Sequence, residues 1–187
     1  AYEETGLEPE EIRDSIGGIS PICVQCDGKT SDGVVTEKCG YPDDITKCLE
    51  QSKHLCELAQ AEKEGRLVVL YGCAGERDAK KRPLMSEAVV KYADFAVLTS
   101  DNPRKEDPCA IIKDAEPVLA ASGKPYIVEV ERRTAVNRAL DMLRPGDVLA
   151  LCGKGHEDYQ VIDGVTLYLD EHRIVREWLE RKGLDKA

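Results

Sequence analysis

The sequence has no long run of Lys or Arg, and its formal net charge is −10. A chain of that kind presents no basic face for phosphates, so nucleic-acid binding is not expected. No stretch approaches the roughly 18 consecutive apolar residues of a membrane helix. The opening AYEETGLEPEE is acidic where a secretory leader would be basic. Both features point to a cytoplasmic protein without a membrane partner. The phosphate-binding pattern GxxxxGK[ST] is missing, so any nucleotide would be held mostly by another domain. No Ser/His/Asp or Cys/His nucleophile arrangement can be picked out, and no catalytic residue is assigned. Of three histidines, His54 and His172 fall in helical stretches and His156 has no second histidine at ligand spacing. No metal site is expected from them.

Cysteine, in contrast, is plentiful, with eight residues. Cys23 and Cys26 form a CxxC in ICVQC, but no second CxxC follows. The spacings of Cys39, Cys48 and Cys56 fit no zinc finger. Cys73, Cys109 and Cys152 lie in or beside apolar segments, where a free thiol packs as a small hydrophobe. Reduced thiols without a function are favoured; a zinc or partner-binding tag near the start stays open.

With 187 residues, 33% charged and 42% hydrophobic, the chain can bury a real core. Residues 1–33 differ in texture from the rest. A short helix is expected from about Glu8 to Ile16, with Pro9 in its first turn, followed by GGISPICVQCDGKTSDG, which has no period. This stretch reads as an appendage or linker, and residues 34–187 as the main domain.

In that domain, apolar runs RLVVLYG (66–72), FAVLTS (95–100), PYIVEV (125–130) and DVLALCG (147–153) are near-continuous. Parallel strands covered on both faces have this character. Helical stripes lie between them: Ile45 to Ala59, Ile111 to Leu119 behind Asp107-Pro108, Val136 to Leu143, and Ile174 to Leu179. YQVIDGVTLYL reads as a hairpin turning at Asp163-Gly164. The expected fold is α/β: an open, mostly parallel sheet of Rossmann type with helices on both faces, one antiparallel piece, and a short N-terminal appendage.

Ligands of such sheets bind beyond the carboxyl ends of the strands. Three of these ends carry unusual loops: GCAGERDAKKRP (72–83), DNPRKEDP (101–108) and GKGHEDY (153–159). Together they offer Arg77, Asp78, Arg82, Asn102, Arg104, Lys154, His156 and Glu157 on one edge. Each loop alone could be an ordinary polar turn. Their convergence carries the signal.

GCAGERDAKKRPLM, LTSDNPRKEDP and GKGHEDYQVIDG, in that order, resemble the C-terminal domain of the Mur ligase family, in its diaminopimelate-adding branch. The resemblance runs from about Val34 to Gly183. It implies an enzyme that joins an amino acid to a UDP-muramoyl dipeptide in peptidoglycan synthesis, through an acyl phosphate made with ATP and Mg²⁺. It also implies that a separate ATPase domain and a UDP-sugar domain do most of the nucleotide work. By that resemblance Arg77, Asp101, Asn102, Arg104, Gly153 and Glu157 would bind meso-diaminopimelate, with Arg82, Lys154 and His156 as additional candidates. Where the family has DYAHTP beside the nucleotide, this chain has VVTEKCGYPDD, with Glu37 for the aspartate and Gly40 for the histidine, while Pro42-Asp43 remains. The chain alone is expected to be catalytically incomplete. It would serve as the amino-acid-binding part of a ligase whose other domains are supplied elsewhere, or as a stand-alone module that binds diaminopimelate or a similar amino acid.

Overall fold

The computed structural model describes the backbone of residues 20–24 and, in full, residues 64–155 and 157–184. The expected helices at 8–16 and 45–59, Glu37, Gly40, Pro42-Asp43, Cys26, Cys39, Cys48, Cys56, His54 and His156 lie outside these.

Five parallel strands form the sheet: β1 (Ser20–Val24), β2 (Leu67–Cys73), β3 (Phe95–Ser100), β4 (Tyr126–Val128) and β5 (Val148–Cys152), in the order β1-β5-β2-β3-β4. β2 is central, and all seven of its residues are buried. Its side chains alternate between faces, as a strand's period of two dictates. Leu67, Val69 and Tyr71 pack with α1 (Lys81–Tyr92) and α2 (Pro108–Ser122). Val68 and Leu70 pack with α3 (Arg132–Asp141) and α4 (Glu171–Lys182). Two apolar layers, one per face, are therefore what the continuous strands encode. A separate antiparallel ribbon, β6 (Tyr159–Ile162) and β7 (Val165–Tyr168), turns at Asp163 and Gly164, both at positive φ, as a two-residue hairpin turn of this hand requires.

Local chemistry sets the helix ends. Asp107 accepts a hydrogen bond from Cys109 N at 3.0 Å, with Pro108 in the first turn. Glu131 caps α3 by accepting from Arg133 N and Thr134 N, and Asp170 caps α4 by accepting from Arg173 N. Each cap satisfies a backbone donor with no intrahelical partner. α2 and α4 end on Gly123 and Gly183 in the left-handed conformation.

Two elements and one cysteine depart from the sequence reading. α1 shows almost no amphipathic contrast, and Pro83 in it suggests a turn; the helix forms because proline is tolerated in a first turn, where no intrahelical donor is needed. Ser20–Val24, inside the stretch expected to be an appendage, pairs with β5 from Ser20↔Val148 to Val24↔Cys152. Among the described strands it lies at the edge of the sheet, a position where proline is tolerated, and five residues are too few to show a period. Cys109 sits on the exposed side of α2, unlike buried Cys73. Among the described residues, no helix is long and apolar enough to cross a membrane.

The amino end of the sheet is closed by Arg66 and Asp147. Asp147 accepts from Arg66 N at 2.8 Å, from the Arg66 guanidinium, and from Arg144 N at 3.0 Å. Burial opposes charge on this carboxyl, but the Arg66 hydrogen bonds outweigh it and hold the pKa below the ordinary value. A depressed native pKa contributes stability that is present above the unfolded value of about 4 and lost as pH falls through the native one. Asp147→Asn is expected to lower unfolding stability by about 2–3 kcal/mol at pH 7, a buried-pair cost discounted because Arg66 is partly exposed. Urea titrations at pH 7 and below pH 4 check this, with the gap to the wild type closing at the lower pH.

Candidate functional site

The site is built where β2, β3 and β5 end. Because the three strands are parallel, their carboxyl ends lie on one edge, and the loops that follow meet there. Gly75 N donates to Asn102 O at 2.9 Å, joining the first loop to the second. A Cβ on Gly75 would lie 2.0 Å from Pro103 O, so the two backbones touch at a place where only glycine fits.

The second loop is joined to the third by Lys154. Its side chain is fully buried, and its ammonium lies 2.7 Å from Asn102 Oδ1 and 3.3 Å from Glu157 Oε2. Asp101 Oδ1 is 3.1 Å away, close enough for charge pairing but not aligned as a hydrogen bond. The ring of Tyr159 lies beneath, 5.8 Å from the ammonium. Asn102 is engaged at both ends: Nδ2 donates to Glu157 Oε2 at 3.0 Å, while Oδ1 accepts from Lys154 and from Val161 N. Gly153, at φ 110, adopts a backbone that side-chain-bearing residues rarely take.

Arg104 is held in an unusual way. Its φ of 57 places a non-glycine residue in the left-handed region, a conformation that persists only when its surroundings over-determine it. The hairpin does so: Arg104 N donates to Val161 O at 2.9 Å, and Asp163 N donates back to Arg104 O. The guanidinium makes one long bond, Nη1 to Gly75 O at 3.4 Å.

The arginines around the site sort by their partners. Arg82 is buried and bonds Asp114 Oδ2 at 2.8 Å and Glu106 Oε2 at 2.7 Å. That hydrogen bond, with one from Glu76 N, holds the Glu106 carboxyl below its usual range. Arg132 is wholly buried and bonds Glu171 at 2.8 Å. Arg104 is half-buried and pairs with no carboxylate of the described residues; Arg77 is exposed and likewise unpaired among them. Two guanidiniums are thus tied into the fold by carboxylates, and two have no such tie among the described residues.

Asp101, Asn102, Arg104, Gly153 and Glu157 are brought together, with Arg77 on the neighbouring loop. Lys154 and Arg82 face inward and hold the loops. Arg132, Glu171 and Gln160 complete the support; the Gln160 side chain donates to Asp101 O. None of the three is marked by the sequence, since ERRT and DEHR look like ordinary charged helix starts. Cys73, under the first loop, is no nucleophile: burial raises its thiol to about 12. Among the described residues, no group of His, Cys, Asp and Glu could hold a metal ion.

The family model of the Mur ligase glutamate ligase domain matches residues 41–155. The chain is 36% identical over 180 residues to the UDP-N-acetylmuramoyl-L-alanyl-D-glutamate–2,6-diaminopimelate ligase 1 of Clostridium acetobutylicum, covering 94% of this chain and 36% of the relative. It is 37% identical over 184 residues to the corresponding ligase of Aquifex aeolicus, covering 95% and 36%. Both alignments reach into residues 1–33. A solved structure of such a ligase superposes with a TM-score of 0.69 at 33% identity, over 72% of this chain and 28% of that one. The chain spans about a third of the length of these relatives. A match over residues 41–155, on a parallel sheet whose loops converge as described, places this chain in the Mur ligase family, as its C-terminal glutamate ligase domain.

Proposed function

We propose that this domain holds meso-diaminopimelate for addition to a UDP-muramoyl dipeptide. The observation that carries the reading is Arg104: its backbone is held in the left-handed region by two hydrogen bonds, and its guanidinium pairs with no carboxylate of the described residues. The relatives named as diaminopimelate ligases support the choice of amino acid.

The chemistry follows from the groups left available. One end of diaminopimelate bears a carboxylate and an ammonium where lysine bears an ammonium alone. Arg104 offers that carboxylate two parallel charge-assisted bonds. Glu157 uses Oε2 within the protein, and its Oε1, with no hydrogen-bond partner among the described residues, is offered to the ammonium. Gly153 lets the backbone approach, Asp101 and Asn102 shape the floor, and Arg77 reaches from the exposed loop. Bound lysine would leave Arg104 unpaired in a partly desolvated place, which costs about 1–3 kcal/mol.

ATP and Mg²⁺, which the full reaction would use, are not assigned to this chain's residues. The 187 residues contain no GxxxxGK[ST], and the described ones contain no metal-binding cluster. ATPase and UDP-sugar domains would be the working partners. What these residues do is select and orient the amino acid whose amine attacks.

Calorimetry tests the reading. Wild-type protein is expected to prefer meso-diaminopimelate to lysine, and Arg104→Ala to lose at least tenfold of that preference. An unchanged preference in the variant would refute the role of Arg104, and no binding of diaminopimelate by the wild type would refute the proposal. Glu157→Gln is expected to weaken diaminopimelate about tenfold, near 1.4 kcal/mol, and to lower thermal stability measurably, because buried Lys154 loses one of its two carboxylate partners. Its amide oxygen can still accept from Asn102 and Lys154.

A further inference from the structure

We infer that Arg132 is a positioning residue for this site, whose guanidinium helps set the separation of the DNPR and GKGHE loops. The sheet sets that separation only through β2, to which the two strands are laddered as far as Ser100 and Leu151, and the side chains of Lys154, Asn102 and Glu157 join the loops above it. β3 and β5 are not neighbours; β2 lies between them, so their ends are about two strand spacings, roughly 10 Å, apart. No ladder hydrogen bond joins them.

Arg132 does. Its Nη1 donates to Ser100 O at 3.1 Å and its Nη2 to Cys152 O at 2.8 Å. Ser100 is the residue before Asp101, and Cys152 the residue before Gly153. Nε donates to Glu171 Oε1 at 2.8 Å, which anchors the fork from the first residue of α4. The side chain is 0% exposed. A Cβ on Gly153 would lie 3.8 Å from Arg132 Nη2 and 3.8 Å from the Asp101 carboxyl carbon, so the fork lies directly under both loops. A planar fork with three separate donors can bridge two carbonyls and a carboxylate together; a lysine ammonium on a flexible stem cannot hold that geometry.

The inference rests on reading these loops as the diaminopimelate site, and two readouts separate the claims. Arg132→Lys is examined in the full chain by amide hydrogen exchange without ligand and by calorimetry with meso-diaminopimelate. The amides of Arg104 and Glu157, both hydrogen-bonded in this structure, are expected to exchange at least fivefold faster together, and the Kd to rise at least tenfold. Arg66→Lys, which disturbs the ion pair at the opposite end of the sheet, is expected to lower the melting temperature while changing neither. If Arg132→Lys fails to fold, Glu171→Gln, which keeps an acceptor for Nε but removes the charge, is expected to accelerate both amides two- to threefold. Unchanged exchange in both loops of the folded variant, or the same acceleration in Arg66→Lys, overturns the inference. If the wild type binds no diaminopimelate, the functional reading fails and the exchange data alone decide the role of Arg132.

Discussion

The Lys154 ammonium is stripped of water at the point where two loops meet, and much of the site follows from that. An ammonium taken out of water costs several kcal/mol unless it is paired and hydrogen-bonded. Here the compensation comes from both loops at once: Asp101 and Asn102 on one side, Glu157 on the other. Separating the loops would leave a buried charge alone. The lysine that the sequence offers as a ligand contact is therefore an internal cation, and its demand for partners fixes the side chains that face outward.

That demand also decides which groups are free. Asn102 is used at both ends, and Glu157 on one oxygen. Arg82 is held by Glu106 and Asp114. Arg104 alone combines a locked backbone with a guanidinium that lacks a carboxylate among the described residues. A receptor whose donors are set before the ligand arrives loses little entropy on binding. The hairpin contributes by bonding both backbone groups of Arg104, which explains a small ribbon otherwise marginal on its own.

How far the sequence reveals this depends on the kind of interaction. Leu67–Cys73, Phe95–Ser100 and Val148–Cys152 are legible because burial on both faces leaves continuous apolar runs. Asp107-Pro108 and Asp163-Gly164 are legible because caps and tight turns use local chemistry. α1 and β1 are not, since one lacks a stripe and the other is a five-residue strand. The convergence of three loops follows from parallel topology and could be read before any coordinates. The partners of each charge could not. Arg82, Arg104 and Arg132 look alike in sequence, and only tertiary placement separates two structural arginines from the one left open. The roles given to Arg77, Asp101, Asn102, Arg104, Gly153 and Glu157 came from family resemblance. The geometry adds a reason for Arg104 and Glu157 in particular, and moves Lys154 and Arg82 to supporting positions.

The most direct measurement of the central claim is a crystal structure of this chain grown with meso-diaminopimelate. The account predicts one carboxylate of the ligand within about 3 Å of two Arg104 nitrogens, its neighbouring ammonium on Glu157, and Lys154 still buried between the loops. Ligand bound away from Arg104, or Lys154 swung out to meet it, would contradict the account.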